Sequence, residues 1–285
     1  MKRQQKSDSF SRMSPLLKGL ALFSLLGGIF LYAGEARASC GLDHCPIELP
    51  DKEYKLDLRL QSKVQHTRFD LAGLEGHFTE FFLSAEYRGF ESWTLGGNIP
   101  LIFLKVEEDE HTGFGNGVVY GEWSHALSEH SSIAFGNQVE LPWGSGEGMS
   151  DDHWVILPYL SLHASLGPGF LMFTGGFSQS IGGHSHDSDQ GGASHFVFVN
   201  PHESREVLGR IAVGLPLMNN RLRVMTLLNI QEPMSGSNQE TLLQAGARAL
   251  YRFSDTLSVQ AVFESPITEA KRFENRSMLG CILAL

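Results

Sequence analysis

Long hydrophobic runs are scarce in this chain. Beyond one apolar stretch near its start, no segment reaches the roughly 18 consecutive apolar residues that mark a membrane-crossing helix. Any crossing of a bilayer by the remainder must therefore use a closed sheet. Amphipathic helical periodicity is missing as well. Basic residues are outnumbered, 22 Lys and Arg against 32 Asp and Glu, a net charge of −10. That acidic balance argues against nucleic-acid binding as the main role. Only three cysteines are present, and the run from Cys40 to Cys45 is not the Cys-x-x-Cys-His of a c-type haem site. His125 and His163 fall on strand patterns. Neither sits in the local motif that would pair a serine nucleophile with an oriented base, so no enzyme is expected.

What is present begins with a targeting signal. Lys2, Arg3, Lys6, Arg12 and Lys18 make a basic stretch, Leu20 to Ala33 an apolar one, and Ala36-Arg37-Ala38 a small-x-small site. This is the pattern of a signal peptide over 1–38, cleaved after about Ala38. An uncleaved anchor is the alternative, although the run falls short of the roughly 20 residues that span a bilayer. A lipoprotein reading of Cys40 is disfavoured by Arg37, which stands where an aliphatic residue is expected. Cleavage removes six basic and two acidic residues, leaving 247 residues with 16 Lys and Arg, 30 Asp and Glu and a formal charge of −14. Residues 39–51 then form a periplasmic N-terminal segment, a candidate docking site for a periplasmic partner. Its Cys40 and Cys45 suit a small disulfide loop in an oxidising compartment, or, together with His44, a soft metal. Cys281 stands alone on a strand pattern and is expected to be a small buried hydrophobe.

From Lys52 onward the period is two. Tyr54, Leu56, Leu58 and Leu60 alternate with Lys55, Asp57, Arg59 and Gln61, which describes a strand apolar on one face. Leu243, Ala245, Ala247 and Ala249 alternate in the same way with Gln244, Gly246, Arg248 and Leu250. About twelve such segments occupy 52–285. Tight connections such as Gly167-Pro168-Gly169 and Ser254-Asp255-Thr256 follow every second one. Longer polar connections follow the others, the longest from Gly183 to His202. Short turns at one end and long loops at the other predict an all-β fold, a single antiparallel up-and-down transmembrane β-barrel in the outer membrane of a Gram-negative bacterium. A soluble β-sandwich would have shorter strands, and its Greek-key connections would break this regularity. The chain ends on Leu285 rather than an aromatic residue, with the alternation Leu279, Cys281, Leu283, Leu285 intact.

One stretch carries a family resemblance. Gly113-Phe114-Gly115-Asn116 leads into a strand, followed by Gln138-Val139-Glu140-Leu141-Pro142-Trp143-Gly144, a polar Gly-rich loop and the strand His153 to Leu166. This resembles the outer-membrane transporter family labelled "MetA-pathway of phenol degradation", whose pattern has a Gly-x-Gly-Asp turn and a Leu-Pro-Thr-Gly strand end. Here Asn116 stands for the aspartate and Trp143 for the threonine. The resemblance covers about a quarter of the chain. It implies a barrel and a transport role, with small organic or aromatic compounds as the suggested solutes.

If apolar faces point to lipid, the inward charges form two walls. Glu80, Glu86, Glu122 and Glu140 lie on early strands, and Arg210, Arg221, Arg223, Arg248 and Arg252 on late ones. Buried charge on this scale must be paired or wet. The walls therefore either bridge and plug the lumen or flank a narrow aqueous path, and twelve strands favour partial plugging. The stretch from Gly182 to His195 is rich in glycine, imidazole and carboxylate. His184, His186, Asp187 and His195 there could hold a divalent metal weakly, while a solvated loop is the plainer reading. No resident cofactor is expected. The expected function is a channel or transporter for passive movement of small solutes, with outer-membrane lipids and those solutes as partners. The alternative is a non-conducting barrel serving as anchor, sensor or partner of a periplasmic complex.

Overall fold

Strict alternation along every inward and outward row is what the observed architecture requires. The computed structural model describes residues 58–71, 74–90, 92–145, 153–182, 204–234, 240–269 and 272–285. The signal segment 1–38, Cys40 and Cys45 in 39–51, and His184, His186, Asp187 and His195 lie outside the described residues. The strands are β1 (Leu58–Leu71), β2 (Leu74–Phe90), β3 (Trp93–Val106), β4 (Asp109–Phe114), β5 (Gly117–Ser128), β6 (Ser131–Leu141) and β7 (Trp154–Leu166). They continue with β8 (Gly169–Ile181), β9 (Arg205–Leu217), β10 (Leu222–Pro233), β11 (Leu242–Arg252), β12 (Leu257–Pro266) and β13 (Asn275–Ala284). Among the described residues no helix is long and apolar enough to cross a membrane.

All pairings are antiparallel, and β13 pairs with β1 to close the sheet. Closure leaves no barrel edge to satisfy. β3 pairs with β4 over Leu101–Val106 and with β5 over Trp93–Asn98. β4 and β5 therefore share one position, broken at Gly115 and Asn116, and the barrel has twelve strand positions. Both barrel termini and the five turns β2–β3, β5–β6, β7–β8, β9–β10 and β11–β12 lie at one end, here the turn end. The remaining connections lie at the loop end.

Two connections at the loop end differ from expectation. The period-two pattern predicts a longer polar connection after its first segment. Instead β1 continues to Leu71, in register with β2 down to the pair Leu71↔Leu74. Polar residues such as Gln65 and Thr67 do not end the strand, because inward positions of a barrel tolerate them. Residues 106–115 likewise fold back as the β3–β4 hairpin, turning at Glu107 with φ 52°.

The exterior carries the large apolar side chains. Leu83 is 72% exposed and Leu279 64%. Trp93, Trp123 and Phe135 are cross-strand partners in one outward row near the turn end, with Trp123 and Phe135 stacked at 6.0 Å. Ala245 and Ala247 point outward, whereas Gln244 is buried inside. Cys281 is half-buried and free, and shares the outward parity of Leu279 and Leu283 instead of lying in a core.

Candidate functional site in the barrel lumen

Inward positions are where this chain places its polar and charged side chains, and glycine decides how they meet. A glycine in a strand interior marks a close approach. Cross-strand register aligns Glu86 on β2, Gly96 on β3 and Tyr120 on β5. A Cβ on Gly96 would lie 2.4 Å from the Tyr120 ring, so the bare backbone lets that ring lie flat across β3. Its hydroxyl then donates to Glu86 Oε2 at 2.7 Å. The same row recurs as Glu122 on β5, Gly136 on β6 and Tyr159 on β7. The Tyr159 hydroxyl donates to Glu122 Oε2 at 3.0 Å, and a Cβ on Gly136 would meet the ring at 2.1 Å. Two carboxylates of the expected acidic wall are thus held by tyrosines that reach over a strand. Arg88 adds an ion pair to Glu86 at 2.8 Å and Arg59 another at 3.8 Å.

The opposite half uses the same device with different chemistry. Glu264 on β12 leans over Gly246 on β11, whose Cβ would lie 2.9 Å from Glu264 Cγ. It accepts from Asn229 Nδ2 at 3.0 Å and pairs with Arg210 and Arg276, each at 3.8 Å. Arg210 also donates to Asn229 Oδ1 at 2.6 Å. Arg248 donates to Gln260, which lies over Gly280 towards Lys63. The Nε atoms of Arg248 and Arg276 are buried and meet no acceptor among the described residues.

Between the halves lies a cavity of about 130 Å³. Glu80 and Glu140 face it from one side, and Lys63, Arg210, Arg248 and Arg276 from the other, with Glu264 among the cations. Glu80 accepts from Gln65 at 2.6 Å. The turn half below is packed. Phe170, Met172, Ala212, Met225 and Leu227 form an apolar cluster there, with Phe170 lying over Gly214. Glu122 and Gln260 are each only 1% exposed. A second apolar cluster, Phe69, Phe78, Ile102 and Leu104, lines the loop end of β1 to β3.

The expected lumen residues fall into three groups. Glu80, Glu140, Arg210 and Arg248 face the cavity. Glu86, Glu122 and Arg223 are buried below it. Arg252 is half-buried at the turn end of β11, while Arg221 lies exposed in the β9–β10 turn, where the strand has not yet begun. The cavity also holds Lys63, Glu264 and Arg276, which sequence reasoning did not select, although Glu264 has inward parity in the β12 alternation. Of the two histidines the sequence placed on strand patterns, His125 points outward and stacks on Trp123 at 5.6 Å. His163 packs inside, 5.8 Å from Phe170. Among the described residues no group of three or more His, Cys, Asp and Glu could hold a metal ion.

The stretch from Gly113 to Gly144 forms a corner at the loop end. Asn116 Nδ2 donates to Glu140 at 2.9 Å, and its Oδ1 accepts from the Gly144 amide at 3.2 Å. One side chain thus ties the Gly-x-Gly-Asn turn to the Leu-Pro-Trp-Gly strand end.

No family model matches the sequence, and no curated protein does. Solved structures do match. An outer membrane channel from Pseudomonas putida F1 aligns with a TM-score of 0.67 at 11% identity, covering 84% of this chain and all (100%) of that one. The NanC porin aligns with a TM-score of 0.54 at 9% identity, over 79% of this chain and 100% of the porin. The KdgM porin gives 0.53 at 10% identity, over 80% and 99%. At such identities the likeness is one of fold, and the shared fold is that of outer-membrane channels and porins.

Proposed function

We infer that the mature chain is an outer-membrane channel that passes small polar or charged solutes passively through its lumen. The observation that carries this reading is the charged cavity between two walls inside a closed barrel. Supporting it, the exterior offers a broad apolar surface with no partner among the described residues, which suits hydrocarbon and not water. The barrel termini and short turns then face the periplasm and the loop end faces outward. Residues 1–38 act as the export signal. The cavity is small, so the path is narrow and conductance is low compared with 16–18-stranded porins.

Planar-bilayer recording tests this. Small unitary steps are expected, with an ion preference that inverts when Arg223 and Arg248 are both changed to Glu. The packed turn half favours a second reading, a non-conducting barrel that anchors or senses. Silent bilayers from protein that still runs as a heat-modifiable barrel on gels would select that reading.

A further inference from the structure

The outer surface of the barrel changes character sharply on β1, β2 and β3. Rising towards the loop end, its cross-strand rows read Ser62–Leu83–Ile99, Val64–Phe81–Leu101, His66–Thr79–Phe103 and Arg68–His77–Lys105. Within four residues of each strand the surface passes from apolar to basic. Phe81 and Phe103, edge to face at 5.7 Å, mark the boundary. Arg68 and His77 are exposed, and the Lys105 side chain is 42% exposed beside Glu110 at 2.8 Å. Arg68 has no ion-pair partner among the described residues. The row borders a recess of about 250 Å³ whose other walls include Glu75, Glu107 and Glu274. Elsewhere at this end the outward surface includes apolar partners such as Ile230 and Leu243 on β10 and β11, and the exposed Arg205 on β9 is bonded to the neutral Gln179 at 3.0 Å.

We propose that this row is a docking site for the phosphate of an outer-leaflet lipid headgroup, an inference that rests on the outer-membrane reading above. The position selects the ligand. Aromatic residues mark the level where hydrocarbon gives way to headgroups, and the basic row stands one step above it, turned towards the lipid. Exposed cations at that height attract headgroup phosphate. The neighbouring carboxylates suit divalent counter-ions that bridge one phosphate to the next.

The test places the full-length mature barrel in nanodiscs doped with either diphosphorylated or enzymatically dephosphorylated lipid A. Co-purifying lipid is then counted by mass spectrometry. The wild type should retain the phosphorylated form on the order of tenfold over the dephosphorylated one, as expected for a few cations at a membrane surface. Arg68→Gln with Lys105→Gln should erase that preference, while Arg205→Gln on the far side of the barrel should keep it. Equal retention of both lipids by the wild type, or a preference surviving the double substitution, would overturn the proposal. If the double variant does not fold, the two-lipid comparison on the wild type decides. Failure to enter nanodiscs at all would instead strike the outer-membrane reading. Excess inorganic phosphate that displaces the lipid would identify a free-anion site and likewise overturn lipid docking.

Discussion

The two halves of the lumen carry charge of opposite balance and use it differently. On β2 to β7, Glu86 and Glu122 are each held by a tyrosine crossing a glycine, and Glu86 has Arg88 and Arg59 beside it. On β9 to β13, Arg210 and Arg276 share Glu264, and Arg248 is bonded to the neutral Gln260. Carboxylates in the first half are braced by neighbouring side chains, Glu86 by two arginines as well, and act as a lock between strands. In the second half cations outnumber carboxylates and face the cavity. Alternation alone treats both halves as equivalent walls, and the glycine rows are what distinguish them.

The largest expected effect lies in the first half. Glu86→Ala removes the carboxylate that Arg88, Arg59 and Tyr120 surround, leaving buried cations without it. A loss of about 3–5 kcal/mol is expected, read as the urea midpoint of the folded, heat-modifiable form. Ion preference of any conducting species should stay as in the wild type. A shift in preference at unchanged stability would mean that Glu86 is solute-facing and that the halves are not distinct.

Gly136→Val comes next. The new side chain would occupy the space of the Tyr159 ring, and overpacking of this kind costs about 1–3 kcal/mol, sometimes more. Pairing it with Tyr159→Ala, which vacates the space, should recover part of the loss in a double-mutant cycle. Additive losses would show that ring and glycine do not meet.

Tyr159→Phe keeps the ring over Gly136 and deletes only the hydroxyl. Hydrogen bonds to charged groups contribute about 1.5–3 kcal/mol, so a loss near 2 kcal/mol is expected from chemical denaturation. Tyr120→Phe should cost less, because Arg88 and Arg59 remain on Glu86. Equal losses would mean that the cations add nothing to that lock.

Much of the fold was legible in the sequence, because a period of two over a whole chain leaves few architectures. The inward parity of Gln244 and Arg248 and the outward parity of Ala245 and Ala247 follow from alternation alone. The first outer hairpin was not legible. Arg68, Asp70 and Glu75 look like a loop in a linear reading, yet exposed strand outside the hydrocarbon tolerates charge as a loop does. The site was read in part. Parity placed Glu80, Glu140, Arg210 and Arg248 inside, but which charges would neutralise one another depends on inter-strand register. Register is set by turns and shear, which no single strand records. Gly96 and Gly136 were the available signal: glycine at inward parity in a strand otherwise rich in larger residues marks a place where a neighbour crosses.

Arg248→Gln is the smallest expected perturbation of stability and the sharpest test of the contrast. Arg248 lies in a wall that already holds Arg210 and Arg276, so removing it relieves like-charge repulsion while losing one hydrogen bond to Gln260. These terms oppose each other, and a net change of about 1 kcal/mol or less is expected. Function should move in the other direction of importance. With one cation fewer on the cavity wall, a conducting barrel should lose part of its anion preference, read as a reversal-potential shift under a salt gradient, and Arg248→Lys should restore it. An unfolding cost as large as that of Glu86→Ala would place Arg248 in a structural lock as well. The second half would then be a mirror of the first, and the lumen a braced scaffold with no side reserved for solute.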